Sequence, residues 1–299
     1  MSVKDTLLAL IIIIVWGLNF VVISLGLEGM PPLLMGGLRF LLVAMIGCWF
    51  VSRPKVPLKW FIAYALSLSF AQFAFLFLAM SMGMPAGLAS LVLQSQVLFT
   101  LVFAYWILKE PISGSQLSAI LVSGAGLALI GTTNNNSAMT MLGFALTMMA
   151  AVCWGVGNLI TRSISQQGYK ADVSLVIWSA LFSCVPFFIL SYVVEGPELI
   201  ISSLLSMSGT SMLSLLYLAA VATIIGYSLW SYLLSHYRAG QVAPLTLGVP
   251  VIGLVSASVV LGEKISSMQL IGISIVMLGL MINMRLDRML KKWLSGNKQ

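Results

Sequence analysis

The sequence predicts an all-α membrane protein of ten transmembrane helices, built as two inverted five-helix repeats with both termini in the cytoplasm. Three observations predict this fold. Of the 299 residues, 60% are hydrophobic and only 8% are charged, whereas a soluble domain carries roughly a quarter charged residues. Lysine and arginine gather on one predicted side of the membrane, and one motif recurs 153 positions further along the chain. Most of this chain therefore lies in lipid.

Ten apolar runs, each near the roughly 20 residues that span a bilayer, divide the chain at charged or turn-forming gaps. The first run lacks an A-x-A cleavage site, so we predict a retained helix and not a signal peptide. The longest gap, Glu195 to Ser211, is expected to be a surface loop. In order, the predicted helices are Thr6–Leu25, Leu33–Val51, Lys59–Met82, Ala86–Leu108, Gln116–Gly131, Met139–Ile160, Val173–Val194, Met212–Ser235, Gln241–Leu261 and Gln269–Met284.

The distribution of positive charge predicts the orientation, because short cytoplasmic loops retain lysine and arginine. With the N-terminus inside and ten crossings, all 15 of these residues lie on the inner side except Lys264, which is outside, and Arg39, which is within the second helix. Residues 285–299 form a basic cytoplasmic tail. The cations form no stripe with interleaved aromatic residues, so we expect no nucleic-acid partner.

Groups suited to catalysis or metal binding are scarce. The three cysteines, Cys48, Cys153 and Cys184, sit inside apolar runs without metal-ligand spacing, and one histidine cannot build a metal site. A membrane enzyme would need a nucleophile, an acid-base pair or a metal cluster near one face, and none is evident. We therefore expect no enzymatic activity, no cofactor and no metal.

The recurring motif divides the chain into two repeats. The sequence LKEPIS at 108–113 matches LGEKIS at 261–266, which pairs Glu110 with Glu263. Near the start of each half, the dipeptide WG recurs at an offset of 138 instead of 153, so an insertion of 15 residues falls between, in the gap that follows Glu195. The predicted boundaries are 1–135 for the first repeat and 136–284 for the second.

Each repeat holds five helices, an odd number, so the second enters the membrane from the opposite side. The loops agree, since Glu110 falls on the inner side and Glu263 on the outer. Inverted repeats around a central site are the architecture of secondary transporters. The sequence therefore predicts transport by alternating access, with Glu110 and Glu263 in gating or structural roles. Gene duplication without transport activity is the alternative.

Several motifs resemble the EamA family of the drug/metabolite transporter superfamily. They are WGLNF at 16–20, PP at 31–32, GLRF at 37–40 and AGLASL at 86–91, with Glu110, and with Pro250 thirteen residues before Glu263. The longer stretches RPKVPL, SFAQFAFLF and GMPAGLASLVLQ, which begin at residues 53, 69 and 83, are most similar to bacterial exporters of O-acetylserine and cysteine in that family. The resemblance covers both halves, and it implies a multi-pass protein of the bacterial inner membrane.

In the resembled family, the first, third and fourth helices of each half line the central pathway. Buried amides are costly in lipid unless they find partners, and they can answer both charged groups of an amino acid. The alternative for each one is interhelical hydrogen bonding. The substrate-binding candidates are Asn19, Gln72, Gln94, Ser95, Gln96, Asn158, Tyr227, Ser228 and Trp230.

Two details sharpen these expectations. Gln94 and Gln96 lie two residues apart, so they diverge by about 200° on an α-helix and only one should face the pathway. Trp16 and Trp154 share a repeat position, and we expect them to pack more than to form an aromatic wall.

Other residues are assigned gating or structural roles. Arg39 is a charge well inside an apolar run, which marks it as functional by default. It lies on the second helix, peripheral to the pathway in the resembled family, and its side chain could extend outward to Glu28. We therefore expect a structural or gating role for it. Pro244 and Pro250 interrupt the ninth helix, and such breaks free carbonyl groups for a cavity.

The expected partners are a small amino-acid metabolite and the lipid bilayer, and a monomer is compatible with the sequence. No aspartate or glutamate lies in a helical core, so we expect export down a concentration gradient without a buried proton relay. An exporter of aromatic amino acids or other amphipathic metabolites or drugs stays open, because the chain is rich in tryptophan, phenylalanine and methionine. A channel also stays open, and it would show flux without saturation and no counterflow.

Overall fold

The computed structural model describes residues 1–133, 139–237 and 239–284, except for the side chains of residues 239, 240, 243 and 244. Over these residues it is helical and contains no strand. Seven helices are long and apolar enough to cross a membrane, and three apolar helices are shorter. The ten are α1 (Val3–Leu27), α2 (Pro32–Gly47), α3 (Leu58–Ser81), α4 (Ala86–Leu108), α5 (Gly114–Thr132), α6 (Met141–Gln166), α7 (Val173–Val194), α8 (Gly209–His236), α9 (Gly248–Leu261) and α10 (Ser267–Asn283).

The all-helical expectation is confirmed, and each predicted run corresponds to one of these helices. The largest difference is at α9, which begins at Gly248, seven residues after the predicted Gln241, because a short helix, Ala239–Val242, and a 3₁₀ turn, Ala243–Leu247, precede it.

Helix α2 ends at Gly47, four residues before the predicted Val51, and the chain continues in a turn in which the Phe50 and Val51 N–H groups donate to the Gly47 carbonyl. Helix α6 continues to Gln166, six residues past the predicted end at Ile160. Its last turns are polar, so the apolar run does not include them. Gly168, with φ of 82°, follows the end of the helix. The predicted basic tail, 285–299, lies outside the described residues.

The expectation of a surface loop between Glu195 and Ser211 is wrong in part. A short helix, Pro197–Leu205, fills most of this gap, and we call it the insert helix. Proline at the first helical position and Glu198 in the first turn both favour a helix start. Nine residues are too few for a membrane span, and a search for long apolar runs therefore passes over them.

Helices at matching positions of the two predicted repeats share irregular turns. A π-helical stretch occurs in α3 at Ala65–Ala71 and in α8 at Tyr217–Ile225. A 3₁₀ turn occurs in α4 at Leu93–Ser95 and directly before α9 at Ala243–Leu247. Turns of this kind leave backbone groups outside the regular α-helical ladder, which a membrane protein tolerates where the backbone lines a cavity.

The recurring motif connects one helix to the next. Lys109 and Gly262 end α4 and α9 in the left-handed conformation, with φ of 57° and 67°. Ser113 then begins α5, and Ser266 begins α10, each in a capping box with a glutamine three residues later. The similarity of the two motifs therefore has a local cause, because both must end one helix and cap another within a few residues.

Small residues let helices approach closely at two crossings. Helices α5 and α10 meet backbone to backbone, since a Cβ added to Gly126 would lie 2.8 Å from both the Gly272 carbonyl oxygen and the Val276 nitrogen. Helices α1 and α9 meet at Gly17, where an added Cβ would lie 2.5 Å from Ile252 Cβ. Small residues at such crossings are typical of helix pairs in membranes.

Candidate functional site

A cavity of about 720 Å³ lies inside the helical bundle, within the range of small-molecule sites. Helices α1, α3, α4, α6 and α8 supply most of its wall, and Arg39 of α2 also lines it. At one end the cavity reaches the exposed Asp172 before α7 and Met284 after α10. At the other end α1, α4 and α9 close around it.

Close packing seals this second end. A Cβ added to Gly253 of α9 would overlap the Ser90 side chain of α4. The Glu263 carboxylate accepts hydrogen bonds from the backbone N–H groups of Ala86 and Gly87, at 2.6 and 3.0 Å. It thus caps the N-terminus of α4, where the helix dipole favours a negative charge. Its repeat partner Glu110 is engaged differently.

Glu110 forms a salt bridge with Arg162 of α6, with 2.8 Å between Oε1 and Nη2. The side chains are 31% and 52% exposed, and an ion pair at such exposure contributes about 0–1 kcal/mol. The two members of the recurring motif therefore hold unlike partners in this conformation.

Seven of the nine substrate-binding candidates lie on the cavity wall: Asn19, Gln72, Gln94, Gln96, Asn158, Tyr227 and Trp230. The other two do not. Ser95 points to the Met148 sulfur at 3.7 Å, and Ser228 is exposed on another face of α8.

Both Gln94 and Gln96 line the cavity, so the expectation that only one of them does is wrong. The prediction assumed an uninterrupted α-helix. The 3₁₀ turn at Leu93–Ser95 changes the angular spacing in this stretch, and both side chains reach the wall.

Gln96 and Asn158 join α4 to α6 across the wall. The Asn158 side-chain N–H groups donate to Gln96 Oε1 at 2.6 Å and to Thr100 Oγ1 at 3.0 Å. This is the interhelical bonding considered as the alternative to substrate contact. The same atoms border the cavity, so packing and access to a ligand coincide here.

An aromatic cluster forms another part of the wall. The Trp16 ring lies 5.2 Å from the Tyr227 ring and 5.5 Å from the Trp230 ring, centroid to centroid. The Trp16 indole N–H donates to the Ala222 carbonyl, which belongs to the π-helical stretch of α8. Trp154 also borders the cavity. The expectation that the two repeat-related tryptophans mainly pack is incomplete, because both pack and both line the wall.

Two amides on the wall are buried without full hydrogen bonding. Asn19 is 8% exposed and Gln72 is 2% exposed. Asn19 Oδ1 and Gln72 Nε2 have no hydrogen-bond partner among the described residues. Buried polar groups without partners are rare in proteins and mark sites where something else binds or where free energy is stored.

Arg39 does not extend toward Glu28, so that expectation is wrong. Its side chain is only 2% exposed, and Nη2 donates to Thr223 Oγ1 at 3.0 Å. The guanidinium carbon lies 4.2 Å from the centroid of the Phe73 ring. Aromatic faces attract cations, and they direct this charge to the bundle interior, where it borders the cavity.

The prolines assigned to a broken helix occupy different turns. The backbone of Pro244 lies in the 3₁₀ turn before α9, and its side chain lies outside the described residues. Pro250 is buried in the first turn of α9, where its missing N–H group costs no helical hydrogen bond. The predicted break in this helix therefore falls at the 3₁₀ turn, and Pro250 belongs to the start of the next segment.

Several wall residues are not among those predicted from the sequence, including Tyr64, Thr100, Thr161 and Asp172. The position of Thr100, one helical turn after Gln96, indicates that it shares the face of α4 that borders the cavity. No sequence feature marks Tyr64 or Asp172 as wall residues, because Tyr64 resembles an ordinary interfacial aromatic residue and Asp172 resembles a helix cap. In the described part of the chain, no three His, Cys, Asp or Glu side chains gather as a metal site.

The known proteins to which this chain is similar are transporters. A model described as the EamA-like transporter family matches residues 4–132 and 141–285. A relative from Escherichia coli (strain K12), named "Probable amino-acid metabolite efflux pump", is 50% identical over 285 residues, which is 95% of each chain. A relative of the same name from Salmonella typhimurium is 51% identical over the same share.

A solved crystal structure shares the fold. It is 17% identical in sequence, covers 95% of this chain and 98% of its own, and superposes with a TM-score of 0.65. At this level of identity the likeness concerns the arrangement of helices alone.

Proposed function

The chain belongs to the EamA-like transporter family, and from this premise we propose that it exports small amino-acid metabolites, O-acetylserine and cysteine first among them, by alternating access. The observation that carries the proposal is the cavity itself, a space closed at one end and open at the other, which is lined by amides and by Arg39. The names of the two relatives, at 50% and 51% identity, support export as the direction of transport and amino-acid metabolites as the substrate class.

We further propose ten crossings, inverted repeats over 1–135 and 136–284, cytoplasmic termini and a place in the bacterial inner membrane. Contacts between loops support this topology. The Thr140 N–H donates to the Gly83 carbonyl at 3.0 Å; Gly83 belongs to a loop predicted outside, and Thr140 caps the end of α6 that is predicted outside. The Trp60 indole N–H donates to Gln167 Oε1 at 3.1 Å. Trp60 lies at the end of α3 that is predicted inside, and Gln167 lies in a loop predicted inside. The shared irregular turns and capping boxes support the repeat.

In this topology the cavity opens inward and Glu263 closes the outer end. Glu110, its repeat partner, would cap the short helix Ala239–Val242, which precedes α9, when the inner end closes. The asymmetry between the Glu263 cap and the Glu110–Arg162 salt bridge supports these gating roles. Two near-symmetric halves that exchange conformations are the usual basis of alternating access.

The substrate-binding roles of the seven wall residues are part of the same proposal. The aromatic cluster of Trp16, Tyr227 and Trp230 favours a second candidate, export of aromatic amino acids or other amphipathic metabolites. Amides can bind the common amino-acid backbone, while aromatic faces would select the side chain. The side chain preferred in transport distinguishes the two candidates.

The function is tested with purified protein in liposomes. Vesicles loaded with unlabelled cysteine or O-acetylserine should accumulate the labelled solute by counterflow, with saturation, and without a proton gradient. Uptake of tryptophan or phenylalanine in preference to these solutes would favour the second candidate. Flux without saturation or counterflow would indicate a channel, and absence of any exchange of amino acids would refute the proposal.

Replacement of Asn158 by leucine tests one substrate-binding role. We expect the KM for exchange to rise roughly 10-fold, because a hydrogen bond to a charged group contributes about 1.5–3 kcal/mol. The loss of interhelical bonding alone should cost only about 0.6 kcal/mol of stability. The control is Thr147→Val on the same helix, whose hydroxyl bonds to the Gly143 carbonyl away from the cavity. A lowered melting temperature with unchanged KM would assign Asn158 to packing.

A further inference from the structure

Arg39 is a buried cation with unused hydrogen-bond donors. Nη2 binds Thr223, whereas Nε and Nη1 have no hydrogen-bond partner among the described residues. Within the same part of the chain, no carboxylate forms a salt bridge with it. The faces of Phe40, Phe73 and Phe77 lie 5.6, 4.2 and 5.9 Å from the guanidinium carbon. Aromatic faces offset only part of the free-energy cost of burying an unpaired ion.

Two neutral groups with unmet hydrogen bonding lie on the same cavity wall. Gln72 Nε2 is a donor, and it precedes in sequence the phenylalanine that lies under Arg39. Asn19 Oδ1 is an acceptor, and it lies one helical turn from Trp16 of the aromatic cluster. The wall therefore offers a positive charge with donors and, separately, an acceptor beside an aromatic face.

We propose that Arg39 binds the carboxylate of the exported metabolite, that Gln72 donates a second hydrogen bond to it, and that Asn19 accepts one from the α-ammonium. This inference rests on the proposed function and names the substrate class of that cavity as α-amino acids with a free carboxylate. Arginine suits this task, because its planar donors match the two oxygens of a carboxylate.

The assignment also sets what the cavity rejects. Amines and esters that lack a carboxylate leave Arg39 unpaired and add a second positive charge to the same space. Discrimination is strong in such cases, because a site built to satisfy a buried polar group binds poorly to an analogue that cannot do so. Cationic amphipathic compounds are therefore poor substrates even though the wall is rich in aromatic rings.

The unmodified protein provides the first test. Exchange of labelled L-cysteine in liposomes is measured in the presence of one of three unlabelled competitors. They are L-cysteine, L-cysteine methyl ester, and cysteamine, which lacks the carboxyl group. We expect the ester and the amine to inhibit roughly 10- to 100-fold more weakly than the amino acid. Equal inhibition by all three overturns the role of Arg39 and leaves the transport proposal intact. If no amino acid is exchanged, both proposals fall.

Variants then separate recognition from structure. Arg39→Met replaces an unpaired buried charge with an apolar chain, so its thermal stability should equal or exceed that of the original protein. Its preference for the free carboxylate should fall to less than 2-fold, while Arg39→Lys should retain part of it. Arg162→Met, which breaks a surface salt bridge, is the matched control and should keep the full preference. A lower melting temperature for Arg39→Met with an unchanged preference would assign Arg39 to structure. If Arg39→Met does not fold, the competition with the unmodified protein decides alone.

Discussion

Replacement of Gly126 by alanine is expected to destabilise the protein by roughly 1–3 kcal/mol, and replacement by leucine should prevent recovery of folded protein. The added Cβ would lie 2.8 Å from backbone atoms of α10, at Gly272 and Val276, and backbone cannot turn aside as a side chain can. The helices must separate, which costs the packing along the whole crossing.

Gly124 provides a matched control two residues away on the same helix, because an added Cβ there would contact nothing within 4 Å. Both alanine substitutions raise helix propensity by about the same amount, so the difference between them isolates the overlap. The measurement is the monodisperse fraction in detergent after heating to a series of temperatures. Equal midpoints for Gly124→Ala and Gly126→Ala would show that the α5–α10 crossing is not close-packed.

Replacement of Glu263 by glutamine is expected to open the end of the cavity that we propose to be outer. The amide keeps the shape of the side chain, but an NH2 group replaces one of the two oxygens that accept from the Ala86 and Gly87 N–H groups, and the remaining oxygen is uncharged. Hydrogen bonds to a carboxylate contribute about 1.5–3 kcal/mol, which corresponds to a population change of roughly 10- to 100-fold. The readout is the labelling of a cysteine placed at Val97 on the cavity wall by an impermeant maleimide, in a chain without its native cysteines.

Two other glutamates supply the controls. Glu195 accepts hydrogen bonds from the N–H groups of Leu33 and Leu34 at 2.6 and 3.0 Å, the same distances as in the Glu263 cap. Glu195→Gln should therefore lower stability without changing the side from which Val97→Cys is labelled. Glu110→Gln should have little effect in this conformation, since its salt bridge is exposed. Unaltered labelling in Glu263→Gln, or the same change in Glu195→Gln, would contradict the gating role.

The sequence predicted the all-helical membrane fold well, because a membrane span must be a long apolar stretch. Within the described residues, each of the ten predicted stretches overlaps one of the seven long or three shorter apolar helices. The polar residues inside them were also good indicators of the cavity wall, since a buried amide such as Gln72 is expensive anywhere else. The family resemblance, confirmed by the family match, predicted most of the helices that line the cavity.

The remaining features depend on partners that are distant in the sequence. The direction of the Arg39 side chain is set by Phe73 of α3 and by Thr223, which lies 184 residues away. The 3₁₀ turn that places both Gln94 and Gln96 on the wall has no composition that marks it. The recurring motif predicts gating or structural roles for Glu110 and Glu263, and much of its similarity arises from the helix caps at Ser113 and Ser266.

The α5–α10 crossing also sets the order in which the protein can be completed. The two helices contact each other through glycine backbones, yet about 150 residues separate them in the chain. At a synthesis rate of roughly 5–20 residues per second, α5 leaves the ribosome about 8–30 s before α10 does. During that time the face of α5 that carries Gly126 lies in the membrane without contact to α10. Assembly of this bundle therefore finishes only after the last helix has been inserted.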